Sequence, residues 1–417
     1  MRVLVVADEW PWPTRSGYRQ RLHWVLTLLS ARADVELLVV LDPPPTEPLA
    51  PPPPGLRLSG VTTTTGGALV VGPVARLLRW FVGRSPRVLV GRSWEAARAA
   101  AEVAARTRPD VTWFSHSPVY LALEQVLPPP HVVDLDNLRS AELRHRRTRD
   151  GLPESTSERL RRRLSGAADH VDESRWRQLE RRIASTAAAA VCSELDRRRL
   201  GEGRVHVLPN GYERSDTVGD GDPTSDGEAA SDGDPTSTPP VLLMVGLLTY
   251  EPNWDGATYF VREVLPLVLE AVPDARLRVV GRYRSEADAA ELRAHPAVEV
   301  LGEVPEVAPE LLAATAAIAP IRFGGGTRIK ILEALAHGLP LVTTTVGCEG
   351  LDVVPGEHLL VGDTPAAFAA ACIEVLSDAG RRRALSAAGQ DLWRRHYRWA
   401  AMQPAVDGLL DAAAQDR

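Results

Sequence analysis

The residues with most chemical promise lie close together, in Gly324-Gly325-Gly326-Thr327-Arg328-Ile329-Lys330, with Glu333 three positions on. Three consecutive glycines let a backbone approach a ligand closely and expose its N–H groups. They follow a strand candidate at 317–320 and precede the apolar run ILEALA, which reads as a helix over 328–337. A helix start adds the positive end of its dipole, and Arg328 and Lys330 add full charges. That set suits a diphosphate or a similar anion; the competing reading is a structural turn with surface bases. Arg328 and Lys330 are two residues apart, so they do not share a helical face unless the helix begins near residue 329. Lys330 is the only lysine among 48 basic residues, a bias that fits coding preference in this arginine- and alanine-rich chain. Glu333 sits inside an apolar helix, where a carboxylate is costly unless hydrogen-bonded. It is either a ligand group or a structural partner for a nearby arginine or cap.

Other candidates stand apart from this stretch. Gly17 lies in the loop between the first strand candidate and a helix, where a plain turn is the alternative; Tyr18 and Arg19 follow it. His116 follows VTWF at a strand's carboxyl end, where a neutral imidazole can hydrogen-bond a hydroxyl without a charge penalty. A packed or exposed loop histidine is the plainer account. Asp134-Leu135-Asp136 offers paired carboxylates, but the triplet is short and common, and no metal role is expected. Gly246 opens a loop, 246–254, in which Asn253 reads as a possible helix cap. Glu349, in GCEGL, either orients a hydroxyl or caps its loop. Cys192, Cys348 and Cys372 match no metal spacing, exclude a disulfide scaffold and fit a reducing compartment.

The elements that must position these residues form two similar series. In the first, strands are expected at Val3–Ala7, Val35–Val40, Val111–Phe114, Val132–Asp134, Ala187–Cys192 and Val205–Leu208. Helical patterns at 17–31, with Leu22, Val25, Leu26 and Leu29 on one face, and at 92–107 separate them. The second series has strands at Val241–Val245, Leu277–Val280, Val298–Leu301, Ala317–Pro320 and 341–345. Its helices are expected at 255–270, 328–337, 365–378 and 381–395, with a last helical stretch at 399–413. Short strands separated by helices imply an α/β fold with mostly parallel sheets covered on both faces. Between the series, 214–240 is acidic and of low complexity, with GDPTS twice, and reads as a linker. DPPPTEPLAPPPPG at 42–55 reads as a stiff surface excursion.

The 417 residues allow two or three domains, and 44% apolar with 24% charged residues is a globular composition. A net charge of -6 argues against a general nucleic-acid binder. The first apolar run is too short for a signal peptide, and no stretch reaches about 18 apolar residues, so no membrane span is expected. Arginine-rich stretches at 139–149, 159–163 and 176–182 read as solvated helix faces, with peripheral membrane contact left open.

PIRFGGGTRIKILEALAHGLPLVTTTVGCEGL at 320–351, followed by GEHLLVGDTPAAFAAACIEVL at 356–376, resembles family 4 of the retaining glycosyltransferases, the "glycosyl transferases group 1" type. SGYRQR at 16–21, SHSP at 115–118, DLDN at 134–137, LPNGYE at 208–213 and VGLLTYEPNWDGATYF at 245–260 extend the resemblance over nearly the whole chain. It implies the GT-B fold, two facing Rossmann-like domains with an interdomain cleft. The implied division is 1–213 for the acceptor, 214–240 as linker, 241–395 for the nucleotide-sugar, and 396–417 as a helix returning to the first domain. It further implies that His116 contacts the donor sugar and that Arg328 and Lys330 stabilise the leaving diphosphate. Glu333 would accept from ribose hydroxyls, with Gly17, Gly246, Arg322, Gly324, Gly325, Gly326, Thr327 and Glu349 as further donor-binding positions. Two positions depart from the family pattern. Gly325 stands where a glutamate is usual, and 249–254 lacks the usual arginine and lysine, which moves the phosphate charge to Arg328, Lys330 and Arg322.

The expected activity is retaining, metal-independent transfer of a sugar from a UDP-, GDP-, dTDP- or ADP-linked donor to a hydroxyl of a glycan, lipid-linked or small-molecule acceptor. No tightly bound cofactor and no nucleic-acid partner are expected, and the location is expected to be cytoplasmic. The alternatives are a non-catalytic nucleotide-sugar-binding partner protein and an epimerase or phosphorylase of the same fold.

Overall fold

The computed structural model describes residues 1–14, 16–42, 44–65, 78, 80, 82, 86, 95–148, 156–201, 203–214, 239–325 and 328–415; in 147–148 and 156–165 it describes the backbone alone. The acidic stretch read as a linker falls, over 215–238, outside the described residues, as do Gly326 and Thr327. Contacts divide the chain into two compact units. The first is Met1–Asn210, Phe323–Thr327 and Trp399–Arg417; the second is Gly211–Arg322 and Arg328–Arg398.

The first unit is built on seven described strands: β1 (Arg2–Ala7), β2 (Asp34–Leu41), β3 (Gly60–Thr65), β4 (Val111–Phe114), β5 (His131–Asp134), β6 (Ala188–Val191) and β7 (Val205–Val207). They pair in the order β3-β2-β1-β4-β5-β6-β7, every pair parallel. β1 shows why its sequence runs apolar without alternation. Val3, Val5 and Ala7 enter one core, and Leu4 and Val6 enter the core on the opposite face. The first face is covered by α1 (Gly17–Ser30), through Leu22, Val25, Leu26 and Leu29, and by the terminal helix Gln403–Ala414, through Val406, Leu409 and Leu410. Ser16 caps α1 by accepting from the Arg19 N–H. The second face is covered by α2 (Glu95–Thr107), α3 (Ser117–Leu123) and the end of α5 (Thr156–Thr186), with α4 (Arg139–Thr148) packed along α5. α6 (Glu194–Leu200) follows β6.

Two features of this unit differ from the expectation. β3 lies in GVTTTT, a segment where no strand was expected; threonine is polar. Its β-branched side chain nonetheless suits a pleated edge, and burial alternates along the strand. The arginine-rich stretch at 176–182 is more than a solvated face. Its helix α5 buries Asp169, Asp172, Glu173 and Glu180 along with Trp176, and Arg144 and Arg177 pair with Glu173. In the proline-rich segment, Ala50 is anchored by its carbonyl, which accepts from the Trp10 indole at 2.9 Å.

The second unit has six described strands: β8 (Val241–Val245), β9 (Arg276–Val280), β10 (Val298–Gly302), β11 (Ala316–Ala319), β12 (Leu341–Thr343) and β13 (Leu360–Val361). They are again parallel, in the order β10-β9-β8-β11-β12-β13. The helix expected over 255–270 begins earlier and is broken. It is α7 (Glu251–Tyr259), a π-helical turn at Phe260–Val264, and α8 (Leu265–Ala271). Pro266 lacks the N–H that would reach back four residues, so a regular helix cannot run through it. Tyr250 takes the N-cap position, which puts Asn253 inside the first turn and corrects its reading as a cap. α9 (Glu286–Arg293), α10 (Ala308–Ala313), α11 (Ile329–Ala336), α12 (Pro365–Ser377) and α13 (Ala379–His396) complete the unit. α11 places Ile331, Leu332 and Leu335 in a core shared with Leu392 and Trp393 of α13. No helix among the described residues is long and apolar enough to cross a membrane.

A buried ion pair holds α1 to β5. Arg21, 2% exposed, gives Nε and one terminal nitrogen to the two oxygens of Asp134 at 2.8 Å each. Its other terminal nitrogen reaches the Leu208 carbonyl and Asn210 Oδ1. Removing Asp134 leaves the buried guanidinium facing only the more distant Asp136, 3.7 Å away, so Asp134→Asn is expected to cost up to about 3–5 kcal/mol of stability. The double variant Arg21→Met/Asp134→Leu should recover most of that loss in urea unfolding. An additive loss in the double variant would show that packing, not charge pairing, holds this joint.

Candidate functional site

In each sheet the strand order reverses once. In the second unit the chain moves from β8 to β9 and β10 on one side, then returns to place β11 on the other. The loops leaving the carboxyl ends of β8 and β11 therefore part, which is where open α/β sheets take ligands. Gly246 follows β8 directly, and Arg322 and Gly324 follow β11.

α11 begins at Ile329, with Arg328 extended at its N-cap position, so only Lys330 of the two bases is helical. The Lys330 ammonium donates to Asn253 Oδ1 at 2.6 Å, and Asn253 Nδ2 donates to the Leu247 carbonyl at 2.8 Å. A Cβ on Gly246 would lie 2.6 Å from Lys330 Nζ and 2.8 Å from Asn253 Nδ2, so only glycine admits this arrangement. Burial, with Arg328 adding repulsion and Glu333 opposing, lowers the Lys330 ammonium to about 7. Glu333, one turn along the same face, is pushed up to about 7 by burial, against a hydrogen bond from the Tyr212 phenol and the charge of Lys330. Tyr212 is itself fixed at its backbone: its N–H donates to the Tyr397 carbonyl at 2.9 Å, and its carbonyl accepts from the Trp393 indole at 3.0 Å. Both charged heads of α11 are thus held by neutral partners.

Arg322 is in a different state. It makes a two-pronged pair with Asp255, at 2.8 and 2.9 Å, and its guanidinium lies 4.5 Å above the Tyr259 ring. Its charge is already matched within the unit. Gly324 has a φ of 120°, a conformation that favours glycine, and Gly325 is buried. Glu349 is half-buried in the turn after β12.

In the first unit the order reverses between β1 and β4. Their carboxyl ends bring Asp8, Ser115 and His116 together with Tyr18, next to Gly17 in the first turn of α1. His116 Nδ1 is 3.0 Å from Asp8 Oδ1, which also accepts from the Tyr18 hydroxyl at 3.0 Å. The Tyr18 oxygen is 2.8 Å from Ser115 Oγ, and its ring stacks on the imidazole at 4.0 Å. Burial works against a charge on His116, but Asp8, helped by Asp136, outweighs it and raises the imidazole above its usual value. Arg19 pairs with Glu9 at 2.5 Å. Both oxygens of Asp134 accept from Arg21, and Asp136 Oδ1 accepts from Cys192 Sγ at 3.0 Å and Asn210 Nδ2 at 3.2 Å. The two aspartates are parts of one ion-pair network.

Sequence reasoning passed over Asp8, Arg21 and Tyr212. Asp8 carried a signal, as the first acid beyond the apolar run of β1. Arg21 carried another, as a charge on the apolar face of α1. Tyr212 lies within LPNGYE, but its reach to Glu333 spans 121 positions and has no local signature.

Residues 239–378 match the family described as Glycosyl transferases group 1. A GDP-mannose-dependent monoacylated alpha-(1-6)-phosphatidylinositol monomannoside mannosyltransferase of Corynebacterium glutamicum is 30% identical over 188 residues, 42% of this chain and 48% of that protein. An uncharacterized 44.6 kDa protein in the cps region of Klebsiella pneumoniae is 25% identical over 141 residues, 31% of this chain and 35% of that one. The chain thus spans about half and about a third of these relatives. Among solved structures, sucrose-phosphate synthase from Thermosynechococcus elongatus superposes with a TM-score of 0.64 at 19% identity, over 97% of this chain and 96% of that one. Anabaena HepE in complex with UDP and glucose gives 0.60 at 13%, over 99% of both chains. WaaG, a glycosyltransferase involved in lipopolysaccharide biosynthesis, gives 0.58 at 14%, over 98% and 99%. At these identities the likeness is one of fold, and it is the two-domain α/β GT-B fold.

The Asp8 carboxylate favours the imidazolium of His116, so Asp8→Asn is expected to lower the His116 titration midpoint, read by NMR of the ring carbons. An unchanged midpoint would show that Asp8 is not what raises it.

Proposed function

We propose, from the membership of residues 239–378 in the group 1 glycosyltransferases, that this chain transfers a sugar from a nucleoside diphosphate donor to an acceptor hydroxyl with retention of anomeric configuration. The observation that carries the reading is the placement of Lys330 and Glu333 on one face of α11, beside the reversal point of the second sheet, each held by a neutral partner. A cation and a carboxylate one helical turn apart suit the two ends of a ribose–diphosphate. Lys330 and the N-terminal N–H groups of α11 meet the phosphates, and Glu333 accepts from ribose hydroxyls.

In the reaction the acceptor oxygen bonds to the anomeric carbon as the bond from that carbon to the phosphate oxygen breaks. The acceptor proton passes to the departing phosphate on the same face. Negative charge grows on the diphosphate as the bond breaks, so the contact with Lys330 strengthens toward the transition state. His116, stacked on Tyr18 and fixed by Asp8, serves a sugar hydroxyl. Because protein cations and a helix start meet the phosphate charge, turnover is proposed to need no metal ion and to persist in excess EDTA. A nucleotide-sugar substrate fits a cytoplasmic location. The named relatives work with GDP-mannose and bind UDP with glucose, so the donors to test first are GDP-mannose and UDP-glucose.

Thermal-shift screening against UDP-, GDP-, dTDP- and ADP-sugars, followed by anomeric assignment of the product by NMR, tests the reading. Lys330→Met and Arg328→Met, measured separately, decide which base meets the leaving group. Loss of the true ligand is expected to lower kcat by about tenfold to a thousandfold. If no nucleotide-sugar shifts the melting transition, or if both variants keep normal kcat/KM, this assignment of charge is wrong.

A further inference from the structure

The loop after β8 lacks the expected arginine and lysine and carries Asn253 instead, 6% exposed and in contact with Lys330. The orientation of its amide is fixed by its two neighbours. An ammonium only donates, and the Leu247 carbonyl only accepts, so Oδ1 must face Lys330 and Nδ2 must face Leu247. Gly246 closes the arrangement from the third side, since any Cβ there would strike both Nζ and Nδ2. An aspartate at 253 would still accept from the ammonium. It would also neutralise it, and it would turn a second oxygen toward the Leu247 carbonyl with no proton between them. A neutral acceptor fixes the position of a cation and leaves its charge to an incoming anion.

We propose that Asn253 is the positioning residue for phosphate binding in this unit: it holds Lys330 beside the carboxyl end of β8 while leaving the positive charge available to the donor's diphosphate. The inference rests on the nucleotide-sugar reading above and adds how the chain binds phosphate without a basic pair in this loop. It also accounts for Gly246 as the residue that makes room for the lysine rather than one that contacts the donor.

The test compares the wild type with Asn253→Asp and Asn253→Ala, using UDP, GDP, dTDP and ADP and the matching unphosphorylated nucleosides as probes in calorimetry. Asn253→Asp is expected to weaken the diphosphate that the wild type binds by about tenfold or more, the scale of a charge-assisted contact. Binding of the matching nucleoside should be unchanged. Asn253→Ala should weaken the diphosphate less than Asn253→Asp does, because it frees the ammonium without neutralising it. In turnover, Asn253→Asp should lower kcat more than it raises KM. Equal weakening of nucleoside and diphosphate in either variant would overturn the proposal and make Asn253 a purely structural residue. So would wild-type diphosphate affinity in Asn253→Asp. Failure of the wild type to bind any of UDP, GDP, dTDP or ADP would instead overturn the nucleotide-sugar reading itself.

Discussion

A parallel sheet sends the carboxyl ends of all its strands to one edge, and the loops along that edge part only where the strand order reverses. Both units obey this constraint, at β1 and β4 in the first and at β8 and β11 in the second. The polar residues of interest follow from it. Asp8, Ser115 and His116 leave the ends of β1 and β4, Gly246 leaves β8, and Arg322 leaves β11. The strands need only be apolar on both faces to fill the sheet. The helices that cover them need only one apolar stripe, as α1 and α11 show.

Charge within this frame is handled in two ways. Arg21 with Asp134, Arg322 with Asp255 and His116 with Asp8 are matched pairs, in which each charge has an opposite charge within 3.0 Å. Such pairs fix the positions of elements, at the desolvation cost that buried ions carry. Lys330 and Glu333 are treated differently. Asn253 and Tyr212 satisfy their hydrogen bonds without cancelling their charges. Burial then disfavours the charged form of each, which is why the ammonium falls and the carboxylate rises toward about 7. A bound partner of opposite charge or with matching donors would relieve that penalty. The contrast separates charges matched by an opposite charge from charges held by neutral partners.

Much of the architecture could be read without coordinates. Short apolar runs such as Val3–Ala7 and Val241–Val245, alternating with one-sided helical patterns, specify parallel sheets, because only strands buried on both faces read that way. The motif around Gly324, Lys330 and Glu333 carried the family resemblance, since its residue types and spacing are local. The readings that failed were also local ones. Pro266 split an expected helix, and Asn253 resembled a cap until the helix was seen to start two residues before it.

What the tertiary structure alone decided is which charges are matched. Arg322 and Lys330 both stand near the glycine run in sequence, the second as a leaving-group cation and the first as a further donor-binding position. Only the fold shows Asp255 on the first and Asn253 on the second, from positions 67 and 77 residues away. Tyr212 reaches Glu333, and Arg21 reaches Asp134, across still longer separations. The physical reason is that periodicity and motif spacing report how a residue relates to its own helix or strand. The state of a buried charge depends on whatever side chain the packing of other elements brings within about 3 Å of it, the range of a hydrogen bond.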